Sequence, residues 1–514
     1  MSGEMLGNPW MYVFLVIFVG ALVTIGIVAS RQTKNEDDYA MARNAFPWYA
    51  VAFTMMASTA SGLSFLGSAG MCYTFGWPTM WYLIGYPFAM WITISCYGNY
   101  GQRLNRMGVR SLSEYGGKRF NSEALRLLMA FCCLSLTFSL ASQFTAVSTL
   151  LEIAFSLPYA LGLIVAAALV MAYITLGGAR ADYMANTLQG AVMVVAAILC
   201  TVLFFIKIDE YGGFEQFART MFDLNPAWSP AQLFTPSEVT TQYDSGFAIS
   251  FVVLSHVGYA FMPFVSLRVA ALDKIERMPK LLLFGSAIAM LCAVGSALPG
   301  LIGRLDIPDA PRADMINPLM FVKNFPEWMA AFLVIGVFAA IISTAAGMFL
   351  GMAQAIGNDL YRLFIAKKLK HTGDKLEKIN KYVVRLSLLC IAAVCVLMVW
   401  VPPDFLTLFG WIGNGINVAI LAPVLIGSLV YRKASRNGVL LATLLNLILY
   451  AIFYFKLSWT GMVASGTCVP IGVIMVVVFS KIFKDDITDE YLLECGFYSK
   501  KEYNRRRANI QETA

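Results

Sequence analysis

Residues 47–70 read PWYAVAFTMMASTASGLSFLGSAG. The segment is uncharged, and at ~1.5 Å per residue it is long enough to cross the hydrocarbon core of a bilayer. From residue 57 onward, hydroxyl groups and glycines replace most large side chains, at Ser58, Thr59, Ser61, Gly62, Ser64, Gly67, Ser68 and Gly70. Glycine weakens a helix, and in lipid a freed carbonyl is tolerated only where protein, water or an ion satisfies it. The pattern predicts a broken transmembrane helix beside a binding site, or alternatively a small-residue face for close helix packing.

The composition is that of a membrane protein. Of the 514 residues, 59% are hydrophobic and 13% are charged, which indicates one all-α polytopic domain within a lipid bilayer. The net charge of +7 is spread over short loops, so no nucleic-acid partner is expected. The ten cysteines lie mostly in apolar runs without metal-type spacing, which favours free packing thiols. Because no Lys or Arg precedes Arg31, the first apolar run is expected to be a retained span rather than a signal peptide.

Apolar segments predict about thirteen transmembrane helices in a single domain over residues 1–483. The polar remainder, residues 484–514, is predicted to be a short cytoplasmic tail. The predicted spans are residues 9–30, 47–70, 76–99, 124–153, 157–176, 184–207, 245–269, 280–303, 327–361, 379–401, 404–431, 437–456 and 461–483.

Basic residues orient these spans, because loops rich in Lys and Arg stay on the cytoplasmic side. They fill alternate connections, as the predicted topology requires. The alternation places the N-terminus outside and the C-terminus inside a plasma membrane, as in a bacterial inner membrane. The basic residues are Arg31, Lys34, Arg43, Arg103, Arg106, Arg110, Lys118, Arg119, Lys274, Arg277, Lys280, Lys367, Lys368, Lys370, Lys375, Arg432, Lys433 and Arg436.

Charged side chains are missing from several runs at membrane depth. Proton-driven carriers usually relay protons through buried carboxylates or histidines, and here the one such group is His256. We expect His256 to be an interhelical hydrogen-bond partner rather than a proton carrier. A cation bound in this core must be held by carbonyls and hydroxyls, which suit sodium. The uncharged runs are residues 46–102, 183–206, 246–267, 328–358 and 405–430.

Four motifs occur in a characteristic order. They are SGLSFLGSAG (residues 61–70), LGGARADYMANTLQG (176–190), GYAFMPFVSLRVAALD (258–273) and IISTAAGMFLGMAQAIGNDLYR (341–362). Together they resemble the signature of the solute:sodium symporter family, which contains sodium/proline, sodium/pantothenate and sodium/glucose carriers. The resemblance covers roughly residues 10–450. It implies a fold like that of the leucine transporter, with two inverted repeats of five helices. The repeats would span about 47–207 and 245–431, with extra helices at 9–30, 437–456 and 461–483.

The resemblance also implies a sodium site, where the first broken helix meets the third helix of the second repeat. Sodium is then the coupling ion, and no other cofactor is expected. Unpartnered hydroxyls are costly at membrane depth, and the alternative role for them is bonding back to their own helix. The implied ligands are the carbonyls of Ala57, Ala60 and Ala340 and the hydroxyls of Ser343 and Thr344.

A substrate pocket is expected beside the break, at the interface of the repeats. Tyr259 is the first choice, because it lies four residues before Pro263, where the family places an aromatic on the substrate side. For the other aromatics and amides, packing or helix–helix hydrogen bonding is the alternative. The candidates are Ser61, Ser64, Ser68, Gln143, Ser255, Tyr259, Trp411 and Asn414.

One departure from the family concerns a second cation site. Eight residues after Gly178 many members carry an aspartate, which in some belongs to that site, whereas this chain has Asn186. An amide lacks the negative charge, so a second sodium is expected to bind weakly or not at all. Asp182 can substitute only if it points inward, and its position predicts that it faces the cytoplasm.

Three further charged residues lie at the cytoplasmic ends of predicted helices. They form either an inner gate or a solvated face, with the solvated face preferred. These residues are Arg268, Asp273 and Asp359.

These features predict a sodium-coupled secondary active symporter that imports a small organic solute by alternating access, with a monomer as the transport unit. Residues 151–162 and the GGARA turn resemble the pantothenate and organic-acid branch, which favours a carboxylate or pantothenate-like anion. An amino acid, a sugar or a polyol remains open. A non-transporting sensor with the same fold is disfavoured, because the short tail leaves no room for an output domain. With two histidines and no buried carboxylate pair or metal cluster, no enzyme activity is expected.

Overall fold

Helices provide the regular structure of this protein. The computed structural model describes residues 8–80, 83, 85, 100–230, 254–402, 406–431, 433–484 and 487–505. Within these ranges the only β-type pairing is a single bridge between Phe46 and Leu272. In chain order the helices are α1 (Pro9–Gln32), α2 (Glu36–Met41), α3 (Trp48–Thr59), α4 (Ala69–Phe75), α5 (Leu112–Phe120), α6 (Glu123–Cys133), α7 (Leu136–Phe155), α8 (Tyr159–Glu210), α9 (Phe214–Leu224), α10 (Pro263–Ser266), α11 (Met278–Asp306), α12 (Ile316–Asn324), α13 (Glu327–Gln354), α14 (Gly373–Met398), α15 (Leu406–Leu421), α16 (Ser428–Val430), α17 (Arg436–Ala451), α18 (Gly461–Ile482) and α19 (Asp489–Glu494).

Among the described residues, nine helices are long and apolar enough to cross a membrane, and a bent pair of helices adds a tenth. The polytopic all-helical prediction is therefore confirmed, while the number thirteen stays a prediction. The predicted span 76–99 and the start of the span 245–269 fall largely outside the described residues. The nine helices are Pro9–Gln32, Glu123–Phe155, Tyr159–Glu210, Ile275–Asp306, Glu327–Ala366, Gly373–Met398, Phe409–Val430, Arg436–Lys456 and Gly461–Ile482.

Helix α8 combines two predicted spans. Its 52 residues would extend ~78 Å if straight, far beyond a ~30 Å hydrocarbon core. The helix is interrupted at Gly178, where φ is 57° and ψ is −141°. A side chain at this position would collide with the backbone carbonyl of Tyr39, so glycine is required both for its dihedral angles and for space. The turn lies within the GGARAD segment, between the two predicted spans.

The bent pair comprises Trp48–Thr59 and Ser64–Phe75, which meet at an angle of 55°. Helix α3 ends at Thr59, because Ala60 leaves the helical region with φ of −80° and ψ of 93°. The chain resumes as a π-helical segment, Leu63–Ser68, which leads into α4. Helix α3 packs against α8, α11 and α13 in the interior of the bundle. The glycine-rich and hydroxyl-rich segment is thus a helix interrupted in its middle.

The loops between spans gather at two opposite ends of the bundle. At one end Arg43 pairs with Asp37, and Arg436 donates to the Phe120 carbonyl. We call this the inner end, since it holds the basic loops that the positive-inside rule assigns to the cytoplasm. The opposite, outer end contains the contact of Tyr73 with the Ile307 carbonyl, the pair of Lys207 with Asp306, and the Arg304 guanidinium over the Trp228 ring.

The segment predicted to be a polar tail is folded against the inner end over residues 487–505. The ring of Phe497 lies between two guanidinium groups, 4.1 Å from Arg103 and 4.4 Å from Arg119. Arg106 donates to the carbonyls of Gly496 and Phe497. The Tyr491 hydroxyl donates to the Lys118 carbonyl at 2.8 Å. This part of the tail is therefore a packed element of the inner end.

Replacing Phe497 with alanine is expected to release the tail. The buried ring loses two cation–π contacts of about 0.5–1 kcal/mol each together with its apolar contacts, so the undocked population rises at least about tenfold. Trypsin cleavage after Lys500 and Lys501 measures this population. The exposed Phe483→Ala is the control, and equal cleavage of the wild type and Phe497→Ala would contradict the prediction.

Candidate functional site

Two neighbouring hydroxyls of α13 meet the end of α3 at the helix break. The Ser343 hydroxyl lies 2.7 Å from the Ala57 carbonyl and 2.8 Å from the Ala340 carbonyl, and its single hydrogen is shared between them. The Thr344 hydroxyl lies 3.2 Å from the carbonyls of Ala57, Ser58 and Ala340. Both hydroxyl residues are fully buried. The structure thus brings four of the five predicted sodium ligands into one cluster, and the hydroxyls bond across to α3 as well as back to their own helix.

The end of α3 explains why carbonyls are available there. The last four carbonyls of a helix lack partners within that helix, and they carry the negative end of its dipole. In α3 the carbonyls of Ala57 and Ser58 belong to this last turn, and they turn toward Ser343 and Thr344. An uncharged, buried group of oxygens at a helix C-terminus favours a cation.

The cluster differs in one detail from the predicted ligand set. Among the described residues no hydrogen bond connects Ala60 to the cluster, whereas the Ser58 carbonyl accepts from Thr344. Sequence reasoning missed Ser58. Identifying Ser58 requires knowing the residue at which α3 ends, because only carbonyls of the last helical turn are free to face α13. The role of Ala60 stays a prediction.

On the other side of the break, two buried amides are held by their oxygens. Gln143 Oε1 accepts from the Gly62 N–H at 3.0 Å, and Asn414 Oδ1 lies 2.8 Å from the Ser139 hydroxyl, which is also 2.6 Å from the Gly410 carbonyl. Ser139 and Gln143 are four residues apart on α7 and therefore lie on the same face of that helix. The nitrogen atoms Gln143 Nε2 and Asn414 Nδ2 are buried without a hydrogen-bond partner among the described residues. Two amide donors thus remain uncommitted beside the break.

Aromatic rings lie next to these amides. Trp411 precedes Asn414 by three residues on α15, so both lie on the same side of that helix. The Trp411 ring centroid is 5.4 Å from that of His256 and 5.6 Å from that of Tyr259. The chain breaks a second time here, because residues 254–259 are helical, Met262 leaves the helical region with φ of −53° and ψ of 145°, and α10 begins at Pro263.

The predicted serines are all buried. Ser61 and Ser64 lie at the break, where the Ser61 N–H donates to the Ser64 hydroxyl at 3.3 Å. Ser68 ends the π-helical segment. The Ser255 hydroxyl lies 3.5 Å from His256 Nδ1. Sequence reasoning missed Ser139, although its spacing of four from Gln143 in the uncharged stretch 127–151 was a usable signal.

Asp182 does not face the cytoplasm, and that prediction was wrong. Its side chain is 2% exposed, and Oδ2 lies 2.9 Å from Nη1 of Arg268. This contact is an ion pair without good hydrogen-bond alignment, since neither terminal nitrogen of Arg268 meets hydrogen-bond geometry. Asp182 Oδ1 accepts from Asn186 Nδ2 at 3.1 Å. The Gly178 turn carries Asp182 inward toward Arg268, whose charge compensates its burial.

The preferred assignment of Arg268 and Asp359 to a solvated face is also wrong. Both residues are buried. Asp359 accepts from Arg126 Nε and from the Ser111 hydroxyl, each at 2.7 Å, so charges from distant segments neutralise each other inside the inner end. Asp273 differs, since it pairs with Arg277 at a partly exposed position. The arrangement of Arg268 and Asp359 favours the alternative that they form an inner gate.

The ion pair of Asp182 and Arg268 lies close to the oxygen cluster. A cavity of about 30 Å³, lined in part by Asp182, Arg268, Gly347 and Gln354, lies at the inner end of α13. Gly347 follows Thr344 by three residues, which is less than one helical turn. A guanidinium nitrogen of Arg268 lies 2.7 Å from where a Gly347 side chain would begin. The ion pair of Asp182 and Arg268 thus lies about one helical turn from Thr344 along α13.

Known proteins resemble this chain over nearly its whole length. The family model described as "Sodium:solute symporter family" matches residues 39–446. The sodium/pantothenate symporter of Escherichia coli (strain K12) is 26% identical over 85% of this chain and 89% of the relative. The sodium/proline symporter of the same strain is 26% identical over 93% of this chain and 94% of the relative.

Solved structures show the same fold. A substrate-bound, outward-open structure of a Na⁺-coupled sialic acid symporter aligns with a TM-score of 0.76 and 17% identity, over 93% of this chain and 99% of that one. Mhp1, a nucleobase-cation-symport-1 family transporter, aligns with a TM-score of 0.55 and 14% identity over 91% and 97%. The fold is therefore that of the leucine-transporter class, as the motifs predicted.

Proposed function

Since this chain belongs to the sodium:solute symporter family, we propose that it is a sodium-coupled symporter that imports a small organic carboxylate by alternating access. The observation that carries the proposal is the oxygen cluster at the helix break. The carbonyls of Ala57 and Ala340 and the hydroxyls of Ser343 and Thr344 converge there from two helices. Sodium bound among them joins α3 to α13.

Coupling follows from where the two sites lie on the chain. The proposed sodium ligands Ala57 and Ser58 precede the break, and Gly62, which holds Gln143, lies beyond it, four residues after Ser58. An ion that fixes the end of α3 also fixes the direction of the Gly62 N–H and thereby the Gln143 amide. Sodium and substrate then favour the same arrangement of the break, and each raises the affinity for the other by the same factor.

The uncommitted amide donors support a carboxylate. A carboxylate only accepts hydrogen bonds, and Gln143 Nε2 and Asn414 Nδ2 only donate them. Buried donors left unpaired are costly, so a ligand that accepts from both gains affinity. Pantothenate, proline and sialic acid, the solutes named for the relatives above, all carry a carboxylate. Tyr259 and Trp411 would pack against the apolar part of the solute.

The proposed setting is a bacterial inner membrane with the N-terminus outside and the C-terminus inside, in line with the distribution of basic loops. The proposed transport unit is a monomer, because one chain supplies both the oxygen cluster and the amide pair.

Uptake into proteoliposomes tests the proposal. Radiolabelled pantothenate, proline, a hydroxy acid and a neutral polyol are each offered with an inward gradient of sodium, potassium or protons. We expect concentrative uptake of a carboxylate only with sodium. Uptake without sodium that an uncoupler abolishes would overturn sodium coupling. Concentrative uptake of the polyol alone would overturn the carboxylate, and sodium binding without any uptake would favour a sensor.

Tyr259→Ala is expected to weaken substrate binding by at least about tenfold and to leave sodium binding within about twofold. The ring lies beside Trp411, whose helix also carries Asn414 on the amide side of the break. Burying an aromatic face against a solute is worth at least about 1.5 kcal/mol, which corresponds to this factor. Isotherms for both ligands in the same purified variant give the answer. Tyr259→Phe keeps the ring and serves as the control, and equal losses for both ligands would mean that Tyr259 supports only the fold.

One sodium is expected per substrate. Asn186 lacks the carboxylate charge, which at an effective dielectric of about 20 and 4 Å is nominally worth ~4 kcal/mol to a cation before desolvation. The nearby Asp182 carboxylate is already paired with Arg268. The sodium dependence of uptake should therefore give a Hill coefficient near one, and Asn186→Asp should raise it. Reversal potentials that fit two-sodium coupling in the wild type would show that the second charge comes from elsewhere.

A further inference from the structure

A cavity of about 250 Å³ lies at the inner end, away from both proposed binding sites. One wall is the connection between α1 and α2, and the other is formed by the first turns of α14. Its charged lining consists of Lys34, Glu36, Glu377, Lys378 and Lys381.

The carboxylates near this cavity are already neutralised. Glu36 pairs with Arg110 at 3.3 Å and with Arg362 at 3.0 Å. Glu377 pairs with Arg362 at 2.9 Å. The neighbouring Asp37 pairs with Arg43 at 3.0 Å and with Arg110 at 3.5 Å. Three carboxylates thus balance three guanidinium groups, and this network of ion pairs beside the cavity has no net charge.

The three lysines are not balanced in this way. Among the described residues, none of Lys34, Lys378 and Lys381 forms an ion pair, and all three are exposed. Lys34 comes from the connection between α1 and α2, whereas Lys378 and Lys381 lie three residues apart on one face of α14. Three ammonium groups from two elements therefore surround one cavity without a negative partner.

The apolar surroundings place the cavity at the level of lipid head groups. On α14, directly after Lys381, the side chains of Tyr382, Leu386 and Leu389 are more than half exposed. On α1, one turn before its end, Ile27 and Val28 are also exposed. Exposed apolar side chains on spans of this length contact acyl chains. Basic pockets between transmembrane helices on the cytoplasmic side are suited to anionic head groups.

We propose that this cavity binds a phosphate-bearing anion, which the three lysines recognise and which ties the connection between α1 and α2 to α14. The phosphate comes from a lipid head group or from a soluble phosphate compound, and both offer the same oxygens to the ammonium groups. The site is independent of the transported solute and of the sodium ligands.

Thermal unfolding of the detergent-solubilised, delipidated full-length protein tests the proposal. Short-chain phosphatidylglycerol, phosphatidylcholine of the same chain length, and inorganic phosphate are titrated separately. The variant Lys34→Gln/Lys378→Gln/Lys381→Gln removes the three cavity charges. The control Lys274→Gln/Lys433→Gln/Lys481→Gln removes three exposed charges elsewhere at the inner end.

We expect phosphatidylglycerol to raise the unfolding temperature of all three proteins, but at different lipid concentrations. The cavity variant should need a concentration at least about tenfold higher than the wild type and the control do. If inorganic phosphate shows this tenfold difference and phosphatidylglycerol does not, the site exists and its phosphate comes from a soluble compound. A response to phosphatidylglycerol that is equal in all three proteins would reflect general surface charge and overturn the proposal. So would equal responses to phosphatidylcholine and phosphatidylglycerol, or no response to either anion.

Discussion

Thr344→Ala is expected to raise the sodium concentration for half-maximal uptake at least about tenfold, which corresponds to a loss of ~1.4 kcal/mol of ion binding. The Thr344 hydroxyl lies within 3.2 Å of three backbone carbonyls from α3 and α13, in a fully buried position. Alanine removes one proposed ligand and leaves these carbonyls with one donor fewer. Sodium titrations of uptake and of binding to the purified variant measure the shift.

Two controls separate ion binding from folding. Thr344→Ser keeps the hydroxyl and should retain most of the sodium affinity. Thr443→Ala removes another buried hydroxyl, whose one hydrogen bond within the described part of the chain goes back to the Val439 carbonyl of its own helix α17. An unchanged sodium dependence in Thr344→Ala, or an equal shift in Thr443→Ala, would contradict the proposed role of Thr344.

Arg268→Ala is expected to have the largest effect on stability. It leaves the buried Asp182 carboxylate without its cation, and breaking a buried pair from one side costs about 3–5 kcal/mol. That is a large part of the free energy of unfolding of a typical domain, so little folded protein should be recovered. Yield in detergent and the unfolding temperature measure the loss.

The matched variant Asp182→Asn/Arg268→Gln removes both charges and should recover most of the folded protein, because no uncompensated ion remains. Arg277→Ala breaks the partly exposed pair with Asp273 and should cost less than about 1 kcal/mol. If Arg268→Ala unfolds at the wild-type temperature, the Asp182 charge has another partner. If the double variant is as unstable as Arg268→Ala, the loss comes from packing rather than from charge.

The oxygen cluster shows how far sequence reasoning reaches. Runs of apolar residues fix the spans, and the family motifs identify Ala57, Ala340, Ser343 and Thr344. Which carbonyl faces Thr344 depends on the residue at which α3 ends. The backbone angles of Ala60 set that end, and residue patterns do not locate helix ends to a single position. For this reason Ser58 was missed.

Charges at the inner end show where sequence reasoning stops. A lone Asp182 near a helix end resembles any solvated carboxylate. Its burial depends on Arg268, which comes from a distant segment and approaches only in the folded protein. The same holds for Asp359, whose partners Arg126 and Ser111 are more than 200 residues away. Single-sequence patterns report local periodicity, and these pairs depend on tertiary contacts.

The amides of the substrate side illustrate a third limit. The sequence places Gln143 and Asn414 in uncharged stretches of two predicted spans, but it does not say which end of each amide is free. In the folded protein the Gly62 N–H contacts the Gln143 oxygen and the Ser139 hydroxyl contacts the Asn414 oxygen, so the nitrogen is the free end of each amide. The two uncommitted amide donors, on which the proposal of a carboxylate rests, follow only from these contacts.

The docked tail has a consequence for biosynthesis. Phe497 and its partner Arg106 are separated by 391 residues, and the neighbouring Arg103 and Arg119 are made just as early. At ~5–20 residues per second, the ribosome needs roughly 20–80 s to reach Phe497 after Arg106 has been added. Throughout that time the arginines that will hold the tail have no tail to bind. Docking is therefore a step of assembly that a chain released before Phe497 never completes.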